Sequence, residues 1–247
     1  MRKGMSRLSV RLLTVFCVFL FVMCGVSLFG PVPAFGDDGV QARQLVEKAR
    51  MTLESFGRAS EMEGFRNLMK NARGVFVSPQ ILRGAFIFGA SGGSGVFLVR
   101  DKNRGDWTGP AFYTLGEASF GLQIGGDASE VVLLAMTERG VTALLSSSVK
   151  LGADIGIAVG PIGGGAEAST ANLSADIISF SRSKGLYGGV SLEGAVVAVR
   201  GGLNKAYYGR DVSPADILVA RSAKNDHAAG LRSMVTKMAG GRNEDAR

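Results

Sequence analysis

Ser91 lies in Gly89-Ala90-Ser91-Gly92-Gly93, which has the G-x-S-x-G form of a nucleophile elbow. That elbow works only where a strand leads in, a helix leads out, and a histidine removes the serine proton. Here the residues that follow, Val96-Phe97-Leu98-Val99, favour another strand, and the chain's single histidine is His227, far along in a polar tail. A glycine-rich hairpin connection is therefore the expected reading, with a lipid hydrolase using Ser91 as the lesser alternative. Ser181-Arg182-Ser183-Lys184 spells S-x-x-K, but the S-D-N and K-T-G strings that complete a serine–lysine acyl-transfer site are absent. Both cysteines, Cys17 and Cys24, sit near the N-terminus, so thiolate and imidazole zinc sites lack ligands in the body of the chain. No D-x-[DN]-x-[DN]-G calcium loop occurs, and Gly160-Pro161-Ile162-Gly163-Gly164-Gly165 lacks the Lys-Ser/Thr that holds phosphate. The inventory predicts no catalytic residues, no metal and no cofactor, and points to binding.

Two strand-like segments suggest what is bound. Alternate residues of a strand share a face, so Ile178, Phe180, Arg182 and Lys184 run from apolar to cationic along one side. Val96, Leu98 and Arg100 repeat the pattern. An apolar slot with a basic mouth suits an acyl chain joined to a phosphate headgroup. Val96, Leu98, Ile178 and Phe180 are then the candidate acyl contacts, and Arg73, Arg83, Arg100, Arg182 and Lys184 the candidate headgroup contacts. The opposing reading is that these cations end strands at the solvent boundary and lay their stems on the core.

These side chains need a scaffold, and its ends are marked first. Arg2, Lys3, Arg7 and Arg11 precede an uncharged stretch from Leu12 to Phe29, and Ala34-Phe35-Gly36 supplies small residues before Asp37. Basic, apolar and small-residue regions in that order predict a secretory signal over residues 1–36. Retention as a membrane anchor and lipidation at Cys24 are the alternatives. Of 28 Lys+Arg and 21 Asp+Glu, four basic and no acidic residues lie in that segment. The small surplus left after cleavage predicts no nucleic-acid-binding face. Residues 37–247 suffice for one domain with a sizeable core.

Within that domain, Val40–Phe56 carries Leu45, Ala49, Leu53 and Phe56 as one apolar stripe, a helix closed by Gly57. Arg43, Lys48 and Arg50 flank the stripe and are candidates for attraction to a membrane interface. Ser60-Glu61-Met62-Glu63 has capping-box form and announces a second helix with Phe65, Leu68, Met69 and Ala72 on one face. Short β-favouring runs follow at 75–77, 85–88, 96–99 and 131–134, then at 155–159, 173–180 and 190–199. A short helix over 138–147 interrupts them. Thirty-six glycines, many inside these runs, mark bends and close backbone approaches. The expectation is an α+β fold in which N-terminal helices precede a strongly bent, mainly antiparallel glycine-rich sheet or partial barrel with one inserted helix. Beyond Arg221 the chain reads as a polar, loosely attached tail, with 37–220 forming the domain.

Longer strings add a resemblance. They are Trp107-Thr108-Gly109-Pro110-Ala111-Phe112-Tyr113, Ser119-Phe120-Gly121-Leu122-Gln123-Ile124-Gly125, Lys150-Leu151-Gly152-Ala153-Asp154 and Ala158-Val159-Gly160-Pro161, followed by Ser181 to Tyr187, Gly189 to Gly194 and Tyr207-Tyr208-Gly209. In this order, between Ala72 and Arg210, they resemble the SYLF domain family of exported bacterial proteins and of yeast and animal proteins that also carry SH3 domains. The resemblance implies non-enzymatic phospholipid binding, to phosphoinositides in eukaryotic members, some of which also bind actin. For an exported chain it implies an anionic phospholipid or membrane surface as partner, at an envelope membrane, in a periplasmic or other extracytoplasmic space where no actin filament would be met. A protein-interaction module with an envelope protein partner is the alternative.

Overall fold

A computed structural model describes residues 37–241 apart from 86–87, 103, 121–124, 163–174 and 184; the side chains of 83–90 and 118–127 also lie outside that description. The expected signal over 1–36 falls outside it as well. Helix α1, Asp38–Arg58, starts where Asp37 accepts a hydrogen bond from the Gly39 amide at 2.9 Å. Such a cap satisfies one of the orphan amides of a helix N-terminus. Leu45, Ala49, Leu53 and Phe56 are all buried, joined by Ala42 and Val46. Gly57 does not stop the helix. It leaves room for a methionine of the last helix, since a Cβ there would lie 3.2 Å from Met238 Cε. The capping box at Ser60 does not form either. The Ser60 hydroxyl donates to its neighbour Glu61, residues Ser60–Met62 make a 3-10 turn, and α2 is Glu63–Met69.

Among the described residues nine strands follow: β1 Gly74–Ala85, β2 Phe88–Arg100, β3 Trp107–Phe120, β4 Gly125–Ala135, β5 Ser148–Lys150, β6 Ile157–Val159, β7 Ile177–Ser183, β8 Leu186–Gly188 and β9 Val196–Val199. They form one strongly curled sheet in the order β5-β9-β3-β2-β1-β4-β7-β6, with β8 hydrogen-bonded to β7. All pairs are antiparallel except β6–β7. Strands β1, β2 and β4 are longer than their apolar runs. The run at 85–88 is not a strand of its own: its ends belong to β1 and β2. Gly89 to Gly93 lies inside β2 rather than in a hairpin connection.

Strand β3 carries no expected run; Gly109-Pro110 and Gly116 interrupt its apolar residues. The ladder passes from Ala111↔Phe97 to Thr108↔Val99, so Gly109 and Pro110 fall in a bulge opposite Leu98, where a missing amide costs no ladder bond. Two glycines of β2 are set by close approach. A Cβ on Gly93 would lie 2.0 Å from the Gln80 carbonyl oxygen, and one on Gly95 would lie 2.3 Å from the Phe76 ring. They face the stretch Val77–Leu82, where the β1–β2 register shifts.

Val75-Phe76-Val77 and Val131-Val132-Leu133-Leu134 are continuous apolar runs because both faces of the sheet are covered. On one face Val75, Val77, Val96, Leu98, Val132, Leu134, Ile178 and Phe180 pack with α1, α2, α4 (Gly201–Tyr208) and α6 (Ala229–Met238). On the other, Phe76, Phe97, Tyr113, Leu115 and Leu133 pack with α3 (Glu138–Leu145), α5 (Pro214–Leu218) and the loop residues Leu151, Ile155 and Leu192. Asn204 of α4 is fully buried and accepts from the Phe112 amide at 2.9 Å, tying that helix to β3.

The segment after Arg221 is not a loose tail. Its polar composition conceals Ala228, Leu231 and Val235, all fully buried in the layer with α1. Leu231→Ala should therefore cost about 2–5 kcal/mol in chemical denaturation; an unchanged midpoint would show a detachable tail.

Burial raises the phenol pKa values of Tyr113, Tyr207 and Tyr208 above the ordinary tyrosine range. Folding favours their neutral form, so the stability they confer is complete below the unfolded value of about 10 and is lost as pH rises beyond it. Denaturation at increasing alkaline pH, followed with tyrosinate absorbance, should show stability falling while the native phenols stay neutral. A stability flat across that range would contradict the burial.

Candidate functional site

The cations picked out by the strand pattern separate into two places. Arg182 on β7 lies on the floor of an open groove of about 570 Å³ between α1, β1, β4 and β7, lined by Lys48, Met51, Thr52, Pro79, Gln80 and Glu130 among others. The sheet register sets its partners: Arg182 faces Glu130 across β4 and Tyr187 across β8. Arg182 Nη2 donates to Glu130 Oε1 at 2.6 Å, and Nη1 donates to Ser55 Oγ at 2.6 Å and to Tyr187 Oη at 3.3 Å. Tyr187 Oη also donates to the Ser55 carbonyl at 3.2 Å, and its ring meets Phe56 edge-on at 5.2 Å. Burial alone would lower the Arg182 pKa. The bonds to Glu130 and Tyr187 and their charges outweigh it, so the value rises. Arg182 is therefore a tie between α1 and three strands, with its guanidinium about two-thirds covered.

Glu130 is the group the linear pattern did not reveal. Its Oε1 holds Arg182, while its Oε2 is buried with no hydrogen-bond partner among the described residues. Only the register of β4 against β7 brings the pair together, and no local motif signals it. Exposed Met51 lines the groove, and Leu186 at the start of β8, beside lining residue Gly185, is about three-quarters exposed. The groove thus offers apolar contact near a polar, hydrogen-bonding floor.

The acyl-contact residues line no open slot. Val96, Leu98, Ile178 and Phe180 are fully buried, and the Phe180 ring meets Phe65 of α2 edge-on at 5.2 Å. The helices of the same chain fill the place left for a lipid tail. On α1, Arg43 and Lys48 are exposed, whereas Arg50 is held by Glu47 at 3.1 Å and Glu54 at 3.6 Å.

Arg73 and Arg100 lie elsewhere, beside the loop joining β2 to β3. Arg100 Nη1 donates to the Lys70 carbonyl at 2.9 Å, and Arg73 pairs with Glu138. The hydrogen bond from Lys102, then those from Arg73, hold the Glu138 carboxyl below the usual range. Arg83 pairs through its backbone with Ser91 and Asp127, but its side chain, like all of Lys184, is outside the described residues.

Ser91 sits mid-strand opposite Glu117, with β2 continuing to Arg100. His227 is engaged in the helix layer, with Nδ1 3.2 Å from Tyr207 Oη and Nε2 3.8 Å from Glu47. Among the described residues no hydrogen bond joins His227 to Ser91, and no group of three or more His, Cys, Asp or Glu residues is placed to hold a metal.

Comparison with known proteins adds a family. The family model described as "Ysc84: Las17-binding protein actin regulator" matches residues 116–238. Protein YSC84 of Saccharomyces cerevisiae is 30% identical over 185 residues, covering 71% of this chain and 39% of the relative. LAS seventeen-binding protein 3 of the same yeast is 30% identical over 184 residues, 71% of this chain and 40% of the relative. The human SH3 domain-containing YSC84-like protein 1 is 29% identical over 167 residues, 67% of this chain and 48% of the relative. The chain spans less than half the length of these relatives, and the family-model match runs from the end of β3 to the end of α6. It belongs to the Ysc84 family, whose common unit is the SYLF domain.

Proposed function

We propose that this chain is a non-catalytic interaction domain that recruits a protein partner through the groove beside α1. The observation that carries this reading is the composition of that groove. Met51 on one wall and Leu186 close by are exposed apolar side chains, and on the floor Glu130 keeps one carboxylate oxygen buried with no hydrogen-bond partner among the described residues. An interface needs a desolvated apolar centre with a few placed polar groups, and no described residue supplies a donor for the second Glu130 oxygen. The family description, which names Las17 binding and actin regulation, supports a protein as the partner class. The order of residues 1–36 supports a working place outside the cytoplasm, next to a membrane.

A second reading, attraction to anionic phospholipid, is favoured by the outward face of α1. Val40 and Met51 lie three turns apart on that face, about half exposed, with Arg43 and Lys48 alongside. Each such cation contributes on the order of 1 kcal/mol near an acidic surface, so this attraction is weak and lost in salt.

Affinity capture from detergent extract separates the two. The first reading expects one stoichiometric protein, no co-purified phospholipid, and loss of the partner in the folded variants Met51→Glu and Leu186→Glu. Salt-sensitive binding to phosphatidylglycerol vesicles with no protein recovered would overturn it in favour of the second.

A further inference from the structure

A second recess, about 810 Å³, lies where β3 begins and is lined by Arg100 at one wall. Its walls come from the end of β2, the loop into β3, the segment after α5, and α6. Five cations line it, and one of them is already neutralised. Arg221, whose φ of 55° is the left-handed region that non-glycine residues rarely adopt, donates to Asp101 at 2.6 Å and to both Asp106 oxygens at 3.1 Å. That clamp fastens the C-terminal segment to the β2–β3 loop and uses up the nearby carboxylates. The other four, Arg100, Arg104, Lys224 and Arg232, have no carboxylate partner among the described residues. Arg100 and Arg232 are instead aligned by carbonyl oxygens, of Lys70 and Asn225.

A second, independent observation points to a ligand. Trp107 lines the recess and is 4% exposed, yet its indole N–H has no acceptor among the described residues. A buried donor of this kind is normally satisfied. Four cations without a carboxylate partner among the described residues, with this buried donor beside them, call for several acceptor oxygens spread along the recess rather than gathered at a point. The volume is that of a pocket for an extended molecule of several groups.

We propose that this recess binds an acidic, extended peptide segment, whose side-chain carboxylates meet Arg100, Arg104, Lys224 and Arg232. The inference rests on the protein-partner reading and names the chemistry of that partner. A peptide is favoured over a membrane because none of the large apolar side chains exposed among the described residues lines the recess, so nothing there would enter a lipid layer. A concave, like-charged wall concentrates the field and draws an oppositely charged chain inward.

Trp107 is the chain's single tryptophan, which makes its emission a reporter of this recess alone. The full chain is titrated with a synthetic oligo-glutamate peptide, which has no fluorescence of its own. The expected result is a saturable change in Trp107 emission that weakens as salt is added. In Arg104→Ala/Lys224→Ala, with an unchanged melting temperature, the apparent Kd should rise about tenfold. Wild-type binding by the double variant would overturn the assignment. So would an equal response to inorganic phosphate, which would indicate a small-anion site, or a response to phosphatidylglycerol vesicles but not to peptide, which would indicate a membrane surface. If the captured partner is retained by the double variant, the inference fails while the partner reading stands; if no partner is captured by wild type, the reading itself fails.

Discussion

The apolar face of α1 packs against the curled sheet, and that contact makes one wall of the groove and closes the apolar face of the sheet to a lipid tail. Leu45, Val46, Leu53 and Phe56 are buried there, and each is worth about 1.5–3 kcal/mol of removal from water. Lifting α1 into a lipid layer would re-cover the helix but strip Val75, Val96 and Leu98 on the sheet beneath it. The two exposed cations of its outward face, at about 1 kcal/mol each, do not offset that loss. Helix α1 is thus a fixed wall of a groove, and ligands meet its outer side.

The same magnitudes explain why Arg182 is a poor free headgroup contact. Its guanidinium is committed to Glu130, Ser55 and Tyr187, and withdrawing it would leave Glu130 with two unpaired oxygens in a mostly buried position. Buried charge without a partner is costly. A second group of cations without a carboxylate partner among the described residues lies where the loop between β2 and β3 meets the C-terminal segment, around Arg104, Lys224 and Trp107.

Sequence and structure agree where local pattern decides. The stripe of α1, the helix after Thr137 and the runs at 75–77, 96–99 and 131–134 all take the expected form. They part where tertiary partners override local signals. Gly109-Pro110 is absorbed by a bulge in β3, the Ser60 hydroxyl turns to Glu61, and three apolar residues hold a polar-looking tail in the core. At the site, alternation correctly put Arg182 on one face with Ile178 and Phe180, but whether that face stayed open depended on α1 and α2, which pack on it. Glu130 and Trp107 were illegible as site residues because each gains its meaning from a partner, or the lack of one, set by strand register and by a segment more than a hundred residues away.

Hydrogen exchange of the α1 amides, recorded with and without anionic vesicles, tests the central claim most directly. The account predicts amides from Ala42 to Phe56 that remain protected and unchanged by lipid, because the helix keeps its seat on the sheet. Loss of that protection on adding vesicles, accompanied by exposure of β1 and β2, would contradict it.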